Sequence, residues 1–153
     1  MRVLIIYATN SGSTFTAARV LQSLLAPRHS VTLVEAKMAT PAVVEPAEAI
    51  IIGSPSWDHD KKEGQPPESI IARLTQLAPT TVTNKKWVIF GCGDRSYTYF
   101  CGAVDVLEEW LAKYGIQPLI PSLRLDGFLF HLPEGINQIT EWGREVAQRL
   151  TQK

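Results

Sequence analysis

The stretch FGCGDRSYTYFCGAVDVLEEWL, residues 90–111, passes from an apolar run through a polar turn into an amphipathic pattern. It contains three glycines, and its turn carries Asp94 and tyrosines at positions 97 and 99. Val104, Leu107 and Leu111 then recur at helical spacing. A buried strand that enters a helix through a short turn is the repeating unit of parallel α/β sheets, so this stretch predicts that fold class.

Other parts of the chain repeat the same unit. The apolar runs at 3–7, 49–52 and 87–92 are continuous rather than alternating, which predicts strands buried on both faces of a parallel sheet. SVTLVEA, from Ser30, is more amphipathic and is expected nearer an edge of the sheet. A fifth strand is expected around Pro118 and Pro121, which interrupt it.

Helical patterns of apolar residues follow these strands, except for an irregular second crossover through KMATPAVVEPAE. The helical pattern after the run at 49–52 comes after GQPPES and extends from Ile70 to Leu77. The resulting order, β-α five times over, predicts an open, doubly wound α/β sheet of five parallel strands with helices on both faces.

Composition limits the class of protein. The chain has 153 residues, of which 45% are hydrophobic, so we expect one domain over residues 1–153. It has 15 basic and 15 acidic residues, which gives no reason to expect nucleic acid or an anionic membrane as a partner. The apolar run RVLIIY is too short for a signal peptide or a membrane span, so we expect a cytoplasmic protein. Two cysteines without metal-ligand spacing predict neither a disulfide framework nor a metal site.

The first candidate loop is ATNSGSTFT, residues 8–16, at the predicted carboxyl end of the first strand. In doubly wound sheets, ligands bind at these strand ends. Free backbone amides and hydroxyls at the start of a helix favour an anion. The loop lacks the lysine of a nucleoside triphosphate loop, so a phosphate monoester is the better candidate, with an ordinary hydroxyl-rich helix start as the alternative. The candidate residues are Thr9, Asn10, Ser11, Gly12, Ser13 and Thr14.

Two further loops bring aromatic residues to the same edge. Residues 53–67 contain Trp57, and the turn after the run at 87–92 contains Tyr97 and Tyr99 beside Asp94. A flat aromatic ring with a phosphate tail, clamped between Trp57 and Tyr97, would satisfy all three loops. The alternative is that Trp57 packs against the neighbouring loop.

With these residues assembled, the sequence resembles a flavodoxin over nearly its whole length. TNSGST resembles the phosphate loop of that family, SPSWD its tryptophan loop, and residues 90–111 its tyrosine loop and following helix. The fifth strand has no long insertion, so the resemblance is to the short-chain branch. It implies a tightly but noncovalently bound FMN, with the phosphate in the first loop and the ring between Trp57 and Tyr97. The backbone of Asp94, Tyr99 and Cys101 would meet the pyrimidine edge of the ring.

The resemblance also implies further cofactor-binding residues beside those already named. In addition to the first loop and the two clamping rings, the candidate cofactor-binding residues are Ser54, Pro55, Ser56, Asp58, Cys92, Gly93, Asp94, Tyr99, Phe100 and Cys101.

The resemblance also implies a function. The protein would be a one-electron carrier, not an enzyme, shuttling between the FMN semiquinone and hydroquinone. It would be a monomer, with redox partner proteins docking at the exposed flavin edge. The sequence argues against three alternatives. An FMN-dependent quinone reductase conflicts with Tyr97 covering the ring, and a phosphoacceptor signalling domain of similar sheet order needs an acidic pair that YATNSG, after the first strand, does not supply. An interaction module without flavin remains possible but would leave both aromatic loops unexplained.

Three departures from the family pattern bear on FMN affinity and redox behaviour. Pro55 stands where short-chain relatives can place a hydroxyl towards the phosphate. Either Ser54 or Ser56 supplies that hydroxyl, or one hydrogen bond is lost and FMN is bound slightly more weakly. Asp58 directly follows the tryptophan. In the family, the peptide at this position flips its carbonyl towards the flavin nitrogen that is protonated in the semiquinone, and glycine makes that motion easy. The neutral net charge, with basic residues in the flavin loops, contrasts with the family's usual acidity. It predicts a less negative potential for the semiquinone/hydroquinone couple. The basic residues are His59, Lys61, Lys62 and Arg95.

Overall fold

A computed structural model describes residues 1–59 and 61–152 of the chain, with His59 described by its backbone only. The strands are β1 (Arg2–Tyr7), β2 (Ser30–Glu35), β3 (Ala49–Pro55), β4 (Trp57–His59), β5 (Lys62–Gln65), β6 (Lys86–Gly93) and β7 (Leu123–Asp126). The helices are α1 (Ser13–Leu25), α2 (Pro41–Val44), α3 (Glu68–Leu74), α4 (Pro79–Thr83), α5 (Gly102–Ala112) and α6 (Leu132–Thr151). A short 3₁₀ turn (Ala36–Met38) precedes α2.

Five of the strands form one parallel sheet in the order β2-β1-β3-β6-β7. This confirms the predicted doubly wound α/β fold and places β2 at an edge. From β1 the chain moves first to β2 on one side and then to β3 on the other. The strand order therefore reverses at the carboxyl ends of β1 and β3, which is where this architecture opens a crevice for ligands.

The sheet is buried on both faces. Ile5, Ile51 and Phe90 pack on one face with α1 and α6, and Leu4, Ile52 and Ile89 pack on the other with α3, α4 and α5. Burial on two sides explains why β1, β3 and β6 are continuous apolar runs. In the described part of the chain, no helix is long and apolar enough to cross a membrane.

The structure differs from the sequence-based expectations in three places. Residues 53–67 are more than a loop, because β4 and β5 form an antiparallel hairpin within them. The helix after GQPPES ends at Leu74 rather than at Leu77 and is followed by the separate helix α4. The fifth strand begins at Leu123, after both prolines, because proline cannot donate a hydrogen bond to the sheet.

His29 provides a prediction on stability. The residue lies just before β2 and is buried, and neither ring nitrogen has a hydrogen-bond partner among the described residues. Burial lowers the pKa of His29, and the positive N-terminus and Arg28 lower it further. The unfolded chain therefore binds this proton more readily than the folded chain does, so the stabilising contribution is complete above pH ~6.5 and is lost as the pH falls.

We therefore expect the free energy of unfolding to decrease from pH 7.5 to pH 5.5 by more in the wild type than in His29→Gln. Urea denaturation at both pH values measures this difference. Identical pH dependence in the two proteins would contradict the assignment to His29.

Candidate functional site

A cavity of about 760 Å³ opens at the carboxyl ends of β1, β3 and β6. The first loop contributes Thr9, Asn10, Ser11, Ser13 and Thr14 to its walls. The tryptophan region contributes Pro55, Ser56, Trp57, Asp58, Glu63 and Gly64. The tyrosine region contributes Cys92, Gly93, Asp94, Tyr97, Tyr99 and Cys101. The three loops predicted from the sequence thus meet at one cavity.

Three of the predicted residues, Gly12, Ser54 and Phe100, are not among the residues that line the cavity. Gly12 has a φ of 96°, which glycine tolerates, and its N–H donates to Thr9 Oγ1 at 3.0 Å. Ser54 is fully buried and its hydroxyl donates to the Pro55 carbonyl at 2.8 Å. Phe100 packs against the core, under the guanidinium of Arg95. These residues shape the loops without lining the space between them.

Thr14 has the least ordinary environment in the first loop. It lies in the first turn of α1, where backbone amides have no partner within the helix, and it lines the cavity although only 1% of its surface is exposed. Its hydroxyl has no hydrogen-bond partner of regular geometry among the described residues. A buried hydroxyl without a partner costs free energy, so this group is suited to a ligand that supplies an acceptor.

No positive side chain assists this loop. Among the described residues that line the cavity, none is lysine or arginine. An anion bound there would be held by backbone amides and hydroxyls alone, as the sequence of the loop predicts.

Ser56, which follows Pro55, lines the cavity and contacts the start of α5. Its Oγ accepts a hydrogen bond from the Ala103 N–H at 3.0 Å, which satisfies an amide in the first turn of α5. The hydroxyl proton of Ser56 remains able to donate into the cavity. Ser54 instead donates to the neighbouring Pro55 carbonyl and does not line the cavity, whereas Ser56 does.

Trp57 lies at the start of the hairpin, lines the cavity and is 39% exposed. The hairpin pairs Trp57 with Gln65 and His59 with Lys62, so β5 has one extra residue between these pairs. Gly64 lies in this irregular part with a φ of 74°. Because Trp57 lines the cavity and is exposed, it is not buried against a neighbouring loop, which was the alternative interpretation of the sequence.

Tyr97 and Tyr99 stand on the opposite loop and are more than half exposed. The turn that carries them is fixed by Asp94, whose carbonyl accepts the Tyr97 N–H at 3.1 Å and whose Oδ1 accepts the Ser96 N–H at 2.8 Å. The bond from Ser96 lowers the pKa of Asp94, so its carboxylate stays charged at neutral pH. Trp57 and these two tyrosines thus line the same cavity from different loops.

The hairpin and the tyrosine loop are joined to each other. The Thr98 N–H donates to Glu63 Oε1 at 3.0 Å. Gly64 lies so close to the backbone of Tyr99 and Gly102 that a Cβ on it would approach the Tyr99 Cβ to 2.8 Å. The two aromatic walls of the cavity are consequently positioned as one unit.

A fourth loop, residues 127–130, also lines the cavity and was not predicted from the sequence. It follows β7 and is tied to the tyrosine region by a bond from the Gly127 N–H to the Gly93 carbonyl at 2.9 Å. Phe130 is 89% exposed there. The apolar run GFLF after a strand was the available signal. Gly64 was not predicted either, because nothing local in the sequence indicates a hairpin that returns to the cavity.

Both cysteines are buried, and both are free thiols. Burial raises the pKa of both Cys92 and Cys101 to about 12, so neither is a thiolate at neutral pH. In the parts of the chain that the structure describes, no three His, Cys, Asp or Glu side chains cluster as metal ligands.

Comparison with known proteins identifies the family. The family model described as Flavodoxin matches residues 5–128 of the chain. The chain belongs to the flavodoxin family. It is 34% identical over 151 residues to the flavodoxin of Maridesulfovibrio salexigens, a match that covers 96% of this chain and 97% of that protein. It is 35% identical over 127 residues to the flavodoxin of Nitratidesulfovibrio vulgaris, covering 82% and 84% of the two chains.

Solved structures support the same fold. A cysteine-to-alanine mutant of flavodoxin from Pseudomonas aeruginosa superposes with a TM-score of 0.81 at 22% identity, covering 99% of this chain and 100% of that one. Flavodoxins are electron carriers that bind FMN, so this flavodoxin is an FMN-binding electron-transfer protein and not an enzyme.

The residues present fit that cofactor. FMN combines a phosphate monoester with a flat ring, and the cavity combines a neutral hydroxyl-rich loop with two exposed aromatic side chains. The Thr14 hydroxyl, which has no hydrogen-bond partner of regular geometry among the described residues, would gain an acceptor from the phosphate. The aromatic side chains of Trp57 and Tyr97 would gain a stacking partner.

Proposed function

We propose that this flavodoxin is a one-electron carrier whose FMN alternates between the semiquinone and the hydroquinone while electrons pass between partner proteins. Residues 1–153 would act as a single FMN-binding domain, working as a monomer in the cytoplasm. The observation that carries the proposal is the meeting of a neutral anion loop with two aromatic walls at one cavity. Partner proteins would dock where the ring edge reaches the surface.

We further propose the roles of individual residues. The amides and hydroxyls of the first loop, assisted by Ser56, would hold the phosphate. Trp57 and Tyr97 would stack on the two faces of the ring, and the backbone of Asp94, Tyr99 and Cys101 would meet its pyrimidine edge. Asp58, Pro55 and Cys92 would contribute to the wall. A stacked aromatic residue on each face leaves little room for a second substrate, which disfavours a quinone reductase.

The visible spectrum of the purified protein with added FMN, followed during anaerobic photoreduction, tests this function. We expect a yellow protein that passes through a blue, one-electron reduced form. Failure to bind FMN would refute the cofactor site. Reduction in a single two-electron step would favour the quinone reductase instead.

Asp58 provides a prediction on the one-electron state. Residue 58 lies between the two paired positions of β4, directly after Trp57. A peptide flip there asks residue 58 to adopt a conformation that costs a side-chain residue about 1 kcal/mol more than it costs glycine. We expect Asp58→Gly to increase the equilibrium formation of the blue species about fivefold in a redox titration. An unchanged or smaller yield of that species would contradict the hypothesis.

The charge of Arg95 has a smaller expected effect. Its Nε lies 3.7 Å from Asp126 Oδ2 and its side chain is 72% exposed, so its field is both paired and screened by water. We expect Arg95→Ser to lower the potential for complete reduction by about 20 mV or less. Asp126→Asn should shift it in the opposite direction, since it leaves Arg95 without its carboxylate. Potentiometric titration of the three proteins measures both shifts, and shifts of equal sign would exclude the charge as their cause.

A further inference from the structure

Arg124 on β7 makes a set of contacts that no part of the sequence suggests. Its Nη1 donates to the Cys101 carbonyl at 2.9 Å and lies 3.3 Å from the Phe100 carbonyl. Its two terminal nitrogens also reach the two carboxylate oxygens of Asp105, at 2.6 and 3.2 Å. The side chain is partly buried, with 31% of its surface exposed, and its guanidinium contacts both the tyrosine loop and the start of α5.

The backbone that Arg124 contacts is strained. Cys101 has a φ of 51°, a left-handed conformation that residues other than glycine adopt rarely. Such a conformation persists only where the surrounding contacts impose it. Here the contacts on both sides of the residue include Arg124, which binds the carbonyls before and after the Cys101 Cα.

The contact with the Phe100 carbonyl connects Arg124 to the cavity. The Phe100 carbonyl belongs to the same peptide group as the Cys101 N–H. A donor on the carbonyl of an amide polarises the whole amide and strengthens its N–H as a donor. Cys101 lines the cavity, and its backbone is one of the groups assigned above to the pyrimidine edge of the ring.

We propose that Arg124, oriented by Asp105, is a positioning residue that fixes the Phe100–Cys101 peptide at the ring edge of FMN and favours the reduced cofactor over the oxidised one. The inference rests on the proposed function, because it assigns this peptide to the flavin. Arg124 itself does not line the cavity. It would act through the peptide and through its positive charge, which Asp105 partly neutralises.

Replacing Arg124 and replacing Asp105 should shift the reduction potential in opposite directions. Removing Arg124 leaves the Asp105 carboxylate alone behind the ring edge, which disfavours the added electron. Removing the charge of Asp105 leaves the positive guanidinium uncompensated, which favours the added electron. A purely structural pair would behave differently, because breaking it from either side would loosen the same loop and shift the potential in the same direction.

The experiment uses Arg124→Met, Arg124→Lys and Asp105→Asn, with Arg149→Met in the last turn of α6 as a control for the loss of a positive charge remote from the cavity. FMN affinity is measured by quenching of flavin fluorescence, and the reduction potential by anaerobic titration. We expect Arg124→Met to bind oxidised FMN about tenfold more weakly, since it loses bonds from a charged donor. The affinity of Arg124→Met for reduced FMN should fall about threefold more than its affinity for oxidised FMN. This difference would be measured as a more negative reduction potential of the bound FMN.

Asp105→Asn should shift the potential to a less negative value, and Arg149→Met should match the wild type. Arg124→Lys should recover part of the potential shift, because it restores the charge, and less of the affinity, because lysine lacks the planar fork. Shifts of the same sign in Arg124→Met and Asp105→Asn, or no shift in either, would overturn the proposal.

A second measurement separates this proposal from the function on which it rests. Hydrogen exchange of the cofactor-free proteins should show faster exchange at residues 100–103 in Arg124→Met than in the wild type. If the wild type binds no FMN, the proposed function fails, while the exchange data still report whether Arg124 fixes this peptide. If FMN binds and exchange is unaltered in Arg124→Met, the positioning role is wrong.

Discussion

Replacement of Thr14 by valine is expected to weaken FMN binding by about 10- to 100-fold. The substitution keeps the shape of the side chain and removes a buried hydroxyl on the first loop, where we propose that the phosphate binds. This hydroxyl has no hydrogen-bond partner of regular geometry among the described residues. A hydrogen bond to a charged acceptor contributes about 1.5–3 kcal/mol, which corresponds to this range of affinity. Titration of the cofactor-free protein with FMN, followed by flavin fluorescence, measures the loss.

Riboflavin and a conservative variant serve as controls for Thr14. Riboflavin lacks the phosphate, so its affinity should be the same for the wild type and Thr14→Val, and Thr14→Ser should retain most of the affinity for FMN. The cofactor-free Thr14→Val protein should be slightly more stable than the wild type, because it no longer buries an unsatisfied hydroxyl. Equal losses for riboflavin and FMN would show that the substitution disturbs the fold rather than the phosphate contact.

Substitution of Gly64 by alanine is expected to disturb both aromatic walls of the cavity. The residue has a φ of 74°, and an added Cβ would lie 2.8 Å from the Tyr99 Cβ and 3.2 Å from the Gly102 Cα. Neither neighbour is the end of a flexible side chain, so the hairpin must move away from the tyrosine loop. Strain and overpacking together should lower the free energy of unfolding by about 2–5 kcal/mol.

Gly115 provides a matched control for this substitution. Its φ of 72° is nearly the same, and a Cβ added there meets no atom within 4 Å. Gly115→Ala should therefore cost only the backbone strain, about 1–2 kcal/mol, and leave FMN affinity unchanged. Denaturation and FMN titration of both variants separate the two contributions. Equal behaviour of the two variants would show that the close approach of the hairpin to α5 is unimportant.

Much of the fold could be predicted because its signals are local. Continuous apolar runs identified the three central strands, and the helical spacing of apolar residues after them indicated crossovers. The predictions were less accurate at the fifth strand, where Pro118 and Pro121 proved to precede β7 instead of interrupting it. They also missed β4 and β5, because a short polar hairpin has neither a buried face nor a clear period.

The candidate site was predictable to a similar extent. Loops that leave the ends of neighbouring parallel strands must meet, so the first loop, Trp57 and Tyr97 could be placed together from the sequence. That Ser54 and Phe100 do not line the cavity could not be inferred, because the direction of a side chain at a strand end depends on local twist and turn geometry. Phe130 was missed because its loop follows an edge strand of only four residues.

The sequence by itself determined the order along the chain of the five strands of the parallel sheet, which of them are buried on both faces, and the chemical character of the first loop, residues 8–16. Each of these follows from the periodicity or composition of a contiguous segment. Only the tertiary structure decided that Glu63 accepts the Thr98 amide, that Ser56 caps the first turn of α5, and that Arg124 holds the backbone at Cys101. These contacts join residues 23 to 47 positions apart, and such pairs meet only after the order of the strands has brought their loops to the same edge of the sheet.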